Sequence, residues 1–219
     1  MPRGFLLVSL LATSMVWSAC GQFDGDGGEC EAPCQRPKRA APKPLFRPWS
    51  NGCSVPPFIQ MPDFAFEKCC DLHDTCYMTC GVSKAFCEKE FQKCLVGHCK
   101  RSYKGNAECK STASTFVMGV EMFGCTGYQE SQQEACDCLS DGAKTVERFA
   151  EYTSSFYAAY NSTHALPAET AQKFSGKEGQ LVYALYKKYP QAIEIISRDG
   201  QATRGKQTLF ADVGTTREL

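Results

Sequence analysis

Cys69-Cys70-Asp71-Leu72-His73-Asp74-Thr75-Cys76-Tyr77 sets three thiols around an adjacent His-Asp pair and a tyrosine, and no other stretch limits the fold as tightly. In a helix, residues three and four apart share a face, so Cys69, His73, Cys76, Tyr77 and Cys80 line one side, with Cys70 and Asp74 beside them. Cysteines stapled to neighbouring segments would hold the His and Asp rigidly. A general base must sit within hydrogen-bond reach of the proton it takes, and a carboxylate beside it can hold a hard cation such as Ca²⁺ through oxygen. The segment is suited to metal-assisted hydrolysis. The same residues would also serve as a disulfide knot whose charged side chains are merely solvated.

The 219 residues leave room for one domain, or one domain and a tail. Arg3 precedes an apolar run over residues 5–12, with Val16, Trp17 and the small residues Ser18, Ala19 and Cys20 behind it. This is the layout of a secretory signal peptide over residues 1–20, cut near Cys20-Gly21. Fourteen of the fifteen cysteines then remain, all between Cys30 and Cys138. An even count in a secreted chain implies up to seven disulfides. Cys30-x-x-x-Cys34 and Cys136-x-Cys138 also admit a zinc reading, which the compartment and the cysteine density disfavour. The formal net charge is zero, and loss of Arg3 makes the mature chain one unit acidic. No basic field is left to capture nucleic acid or anionic membranes, so membrane contact has to rest on apolar and aromatic side chains.

Residues 21–49 carry Pro33, Pro37, Pro42, Pro44 and Pro48, too closely spaced for a helix. They read as an extended arm pinned by Cys30 and Cys34. Within it, Arg36-Pro37-Lys38-Arg39 fits the basic pattern of a furin-type processing site, with cleavage after Arg39, or a solvated linker. A turn-forming loop, Asn51-Gly52-Cys53-Ser54-Val55-Pro56-Pro57-Phe58, leads to Ile59, Met61, Phe64 and Phe66, a cluster that reads as core or as an interfacial patch. Past the central helix, Gly81 is a candidate helix end, and residues 87–95 read as a second helix. Cys87, Phe91, Cys94 and Leu95 make its inward face, and Glu88, Lys89, Glu90 and Lys93 turn away. Residues 111–124 place Phe116, Val117, Val120 and Phe123 at helical spacing behind Ser111 or Thr112 as N-cap, a core-type stripe.

From residue 140 the chain has no cysteine. Val146, Phe149, Thr153, Phe156 and Tyr160 predict an amphipathic helix, and residues 179–197 another, interrupted at Pro190. Asn161-Ser162-Thr163 is an N-glycosylation acceptor pattern. His98 and His164 lack a neighbouring carboxylate and read as structural or exposed.

Read on residues 69–77, Cys-Cys-x-x-His-Asp-x-Cys-Tyr strongly resembles the active-site helix of the secreted phospholipases A2, and the run around it is most similar to their group XII branch. The resemblance covers residues 30–138. It implies a phospholipase A2-like domain over residues 50–139, leaving residues 140–219 as an extension of unknown role. The expected fold is all-α and disulfide-rich: two long antiparallel disulfide-linked helices, a Ca²⁺-binding loop, little strand beyond a short hairpin, and a cysteine-free, partly helical C-terminal tail. The bridges implied are Cys53 to Cys70, Cys69 to Cys94 and Cys76 to Cys87; spacing alone leaves the pairing open.

The same resemblance implies Ca²⁺-dependent hydrolysis of the sn-2 ester of glycerophospholipids at a membrane or micelle surface, by a secreted, extracellular protein. His73 would be the general base. Glu88 would orient it, where the family usually has aspartate, and Tyr77 would support both. Asp74 and the carbonyls of Gly52, Ser54 and Pro56 would hold Ca²⁺, although two prolines stand where better-known branches carry glycine. The alternative expectation is a secreted lipid- or receptor-binding protein that keeps the scaffold without efficient catalysis, and the tail could also serve a separate protein partner.

Overall fold

The computed structural model describes residues 30–31, 33–54, 61–160, 172–196 and, as backbone, 202–204. The expected signal peptide, Pro56, Phe58, Ile59, the Asn161 acceptor and His164 lie outside them. Three helices carry the cysteine-rich half: α1 (Glu67–Tyr77), α2 (Lys84–Ser102) and α3 (Ala107–Ala135). All fourteen cysteines from Cys30 on are paired, as Cys30–Cys125, Cys34–Cys138, Cys53–Cys70, Cys69–Cys94, Cys76–Cys87, Cys80–Cys136 and Cys99–Cys109. The three bridges implied by resemblance are among them. Because Cys69 joins Cys94 and Cys76 joins Cys87, α1 and α2 run antiparallel.

The central helix stops at Tyr77 rather than at Gly81. Gln132 of α3 donates its side-chain N–H to the carbonyls of Tyr77 (2.7 Å) and Thr79 (2.9 Å), which satisfies oxygens that a helix end leaves unpaired. Cys80 therefore lies in the turn, not on the helix. Gly81, at φ +78°, completes the reversal. Ser83 then caps α2, its hydroxyl accepting the N–H of Phe86 at 3.2 Å. On α2 the buried face is Cys87, Glu88, Phe91, Leu95 and Cys99, so Glu88 does not turn away as its charge suggested.

Asn106 caps α3 by accepting the N–H of Cys109 at 3.0 Å, ahead of the Ser111 or Thr112 cap read from the sequence. Val117 is buried, and Phe116 and Val120 pack partly into the cluster of Phe64, Phe66, Phe91 and Leu95. Phe123 departs from the expected stripe and is 63% exposed, because that cluster ends before it. Phe64 is core, and His98 donates its Nε2–H to the Phe64 carbonyl, 2.8 Å away.

The cysteine-free segment folds back onto this half. Asp141 caps α4 (Gly142–Tyr160), its carboxylate accepting the N–H groups of Ala143 (2.8 Å) and Lys144 (3.2 Å). Phe149, Thr153 and Phe156 are buried as the stripe predicts, whereas Val146 is exposed. α5 (Glu178–Lys188) ends just before a 3-10 turn at Pro190–Ala192. Phe149, Tyr152, Phe156, Val182, Leu185 and Tyr186 share one core with Met78, Cys80, Ala135 and Cys136. Tyr152 and Tyr186 meet through their hydroxyls, and Tyr152 donates to the Phe46 carbonyl at 2.9 Å.

Short strands tie the ends in. β1 (Arg39–Pro42) pairs antiparallel with β3 (Cys136–Leu139), Arg39 opposite Leu139. β2 (Trp49–Ser50) runs parallel to β4 (Glu194–Ile196), which pairs antiparallel with β5 (Ala202–Arg204). This exceeds the single hairpin expected, because the extended segments pair across the fold, β1 with the end of the cysteine-rich half and β2 with the tail. Among the described residues no helix is long and apolar enough to cross a membrane.

Gly179 seats α5 directly on the turn after α1. A Cβ there would lie 2.1 Å from the Cys80 carbonyl oxygen. Gly179→Ala should therefore destabilise the protein by about 1–3 kcal/mol, read as a lowered thermal unfolding midpoint. An unchanged midpoint would contradict this packing.

Candidate active site

His73 sits between two bridges: Cys69–Cys94 and Cys76–Cys87 fasten α1 to α2 on either side of it. It is 6% exposed. Its ring lies between Tyr77 and Phe91, with centroids 4.3 and 4.4 Å away. The polar contact in this apolar slot is to Glu88, whose Oε2 is 3.2 Å from Nε2. The other carboxylate oxygen, Oε1, accepts the Tyr77 hydroxyl at 2.5 Å and faces Lys84 Nζ at 3.0 Å.

The groups around Glu88 set its charge. Burial alone would raise the Glu88 carboxyl, but the hydrogen bond and charge of His73, with the donors of Tyr77 and Lys84, outweigh it and hold the group below its ordinary value. Burial and the Glu88 charge push the Tyr77 phenol well above its usual range, so it stays a donor. An ionised Glu88 carboxylate can only accept a hydrogen bond, so its contact with His73 Nε2 requires a proton on that nitrogen.

Asp74 follows His73 on α1 and reaches the loop instead. The Ser50 hydroxyl lies 2.8 Å from Asp74 Oδ2 and 2.7 Å from Asp71 Oδ1, and itself accepts the Gly52 N–H at 3.0 Å. Burial pushes the Asp74 carboxyl up to about 6, against the lowering effects of Ser50, the His73 charge and the Asn51 backbone N–H; the Asp71 charge adds to the rise. Gly52 has φ +76° with open space around its Cβ direction, and Ser54 donates its hydroxyl to Asn51 Oδ1 at 3.0 Å. Pro56 lies outside the described residues.

The expected Ca²⁺ can be tested against this arrangement. Among the described residues no three His, Cys, Asp or Glu side chains gather as metal ligands. The donors are nonetheless hard oxygens, and one hydroxyl proton on Ser50 cannot serve two carboxylates at once. Carboxylate and hydroxyl oxygens gathered beside the Gly52 loop fit a divalent cation that takes carboxylate and carbonyl ligands.

The structure thus brings His73, Tyr77 and Glu88 together and joins Asp74 to the Gly52 loop through Ser50. Sequence reasoning missed Ser50, Asp71, Lys84 and Phe91 as members of the site. Asp71 at i−3 from Asp74 and Lys84 at i−4 from Glu88 carried a helical-spacing signal; Ser50 carried none.

The family profile of the group XII secretory phospholipase A2 precursor matches residues 11–146. The chain belongs to the group XII secretory phospholipases A2. It is 36% identical over 133 residues to the group XIIA secretory phospholipase A2 of Mus musculus, covering 55% of this chain and 68% of that protein. The Homo sapiens group XIIA protein matches at the same identity, with 69% of its length covered. The group XIIB secretory phospholipase A2-like protein of Mus musculus is 34% identical over 132 residues, covering 53% of this chain and 68% of that protein. Conodipine-P3 of Conus purpurascens is 38% identical over 63 residues, 27% of this chain and 35% of that protein. No solved structure matches significantly. The group XII match ends within α4, so α5 lies beyond it.

The raised Asp74 value makes a pH prediction for the metal-free protein. Its folded-state value of about 6 exceeds the ordinary 3.8, so its contribution to stability is fully present below about 3.8 and lost as pH rises through about 6. In chelator, Asp74→Asn should gain on the wild type by about 2–3 kcal/mol between about pH 4 and about pH 7, measured by unfolding at each pH. Parallel pH profiles for the two proteins would contradict it.

Proposed function

We propose that this group XII protein is a secreted, extracellular, Ca²⁺-dependent phospholipase A2, releasing a fatty acid and a lysophospholipid from the sn-2 ester of glycerophospholipids at a membrane or micelle surface. The observation that carries the reading is the buried His73, its Nε2 against Glu88 and its neighbour Asp74 turned to the loop.

His73 Nδ1 removes a proton from water as the oxygen adds to the ester carbonyl carbon. Glu88 keeps the Nε2–H aligned and stabilises the imidazolium formed, and Tyr77 holds Glu88. Collapse of the tetrahedral adduct breaks the bond to the glycerol oxygen, and the imidazolium returns its proton to that oxygen. Asp74, with the carbonyls of Gly52, Ser54 and Pro56, would hold the Ca²⁺, which supplies Lewis-acid polarisation of the ester carbonyl and a partner for the phosphate. The slot between Tyr77 and Phe91 excludes bulk water from the imidazole.

Seven disulfides support an oxidising, extracellular destination. Arg36, Pro37, Lys38 and Arg39 are exposed, and a cut after Arg39 would leave the front piece attached through Cys30–Cys125 and Cys34–Cys138. A second reading, a lipid- or receptor-binding protein on the same scaffold, draws on one observation: a relative of 34% identity is named phospholipase A2-like.

Purified oxidised protein, given mixed phospholipid vesicles and about millimolar Ca²⁺, should release fatty acid. Chelator should abolish the release, and His73→Gln should lower it by about 1,000-fold or more with an unchanged unfolding midpoint. Folded wild type that releases nothing would favour the binding protein, and activity retained in His73→Gln would refute the base.

A further inference from the structure

Glu88 stands where the orienting carboxylate is expected, but a glutamate has one methylene and one torsion more than an aspartate, and displacements of about 1 Å damage catalytic geometry. Something must take up that freedom. Among the described residues Oε2 meets His73, at 3.2 Å, while the other two donors meet Oε1, so the restraint comes through Oε1.

Lys84 supplies it. Its Nζ lies 3.0 Å from Glu88 Oε1 and 3.3 Å from the Glu121 carbonyl oxygen of α3. The side chain is 11% exposed, against 8% for Glu88, so this is not the solvated i, i+4 pair that contributes little. A lysine in the first turn of a helix also opposes the helix dipole, and α2 has no acidic residue in that turn to offset it. A nearly buried ammonium in that place is stable only with paired oxygens, and Glu88 and Glu121 provide them.

Gly124 leaves the room. A Cβ there would lie 2.4 Å from the Tyr77 hydroxyl oxygen and 3.2 Å from Lys84 Cε. Any larger residue would push out one of the two groups that grip Oε1.

We propose that Lys84 is a positioning residue: with Tyr77, and in the gap left by Gly124, it clamps Glu88 Oε1 so that Oε2 is held on His73. The proposal rests on the reading of His73 as the base, and it concerns alignment, not substrate contact.

The test uses the full-length oxidised protein as Lys84→Met, Lys84→Arg and Gly124→Ala, with kcat and KM on phospholipid vesicles and the exchange rate of the His73 Nε2 proton by NMR. Lys84→Met should lower kcat about 10-fold or more with KM nearly unchanged, and should speed the proton's exchange. Lys84→Arg should restore most of both, and Gly124→Ala should behave like Lys84→Met. Unchanged kcat and exchange in folded Lys84→Met would overturn the proposal, as would a lower midpoint of unfolding with no change in either. If the wild type shows no lipolysis, the functional reading fails, and the proton's exchange alone decides: faster in Lys84→Met and restored in Lys84→Arg upholds the clamp, and equal rates in all three overturn it.

Discussion

Two sulfur–sulfur links set the register of α1 against α2, and the rest of the site depends on that register. Cys69–Cys94 and Cys76–Cys87 flank His73 along the helix, so its backbone is held at a fixed place against α2. Glu88 follows Cys87 directly, which places a carboxylate at the imidazole edge. Disulfides also limit the unfolded chain, each contributing typically ~2–4 kcal/mol, and here they act alongside three buried apolar clusters.

The polar groups are arranged so that each buried one has a partner; among the described residues no buried side-chain nitrogen or oxygen lacks one. Glu88 divides its oxygens between His73 on one side and Tyr77 with Lys84 on the other. Tyr77 is backed by Tyr128, 5.4 Å between ring centroids, and Tyr128 donates to the Val82 carbonyl at 2.8 Å. Gln132 joins α3 to the end of α1. The C-terminal helices close the same structure from outside: Tyr183 of α5 packs with Cys76, Tyr77 and Cys87, and Lys187 reaches Glu90 on α2 at 2.7 Å. Residues beyond the family match therefore brace the helices that carry the site.

Much of this was legible in the chain. The Cys-Cys-x-x-His-Asp-x-Cys run named the central helix and its polar pair, because cysteine spacing and helical period coincide there. The stripe of α4 was legible at Phe149, Thr153 and Phe156 and failed at Val146, which lies at the helix start where the core does not reach it. Phe123 failed for a related reason: periodicity reports the face of a helix, not how far a neighbour covers it. Charge misled at Glu88, since a buried carboxylate is recognisable only once its donors are in place. Ser50 was invisible because its link to Asp71 and Asp74 is made across the fold, by a two-residue strand paired with Glu194–Ile196.

The proposed chemistry turns on which imidazole nitrogen of His73 is bare. Selective ¹⁵N labelling of histidine in the oxidised protein reads this directly, from the two ring resonances of neutral His73. The Glu88 contact predicts a protonated Nε2 and an unprotonated Nδ1, the nitrogen that must accept a proton from water. A proton on Nδ1, or a ring averaging between the two forms, would contradict the orientation on which the proposed chemistry rests.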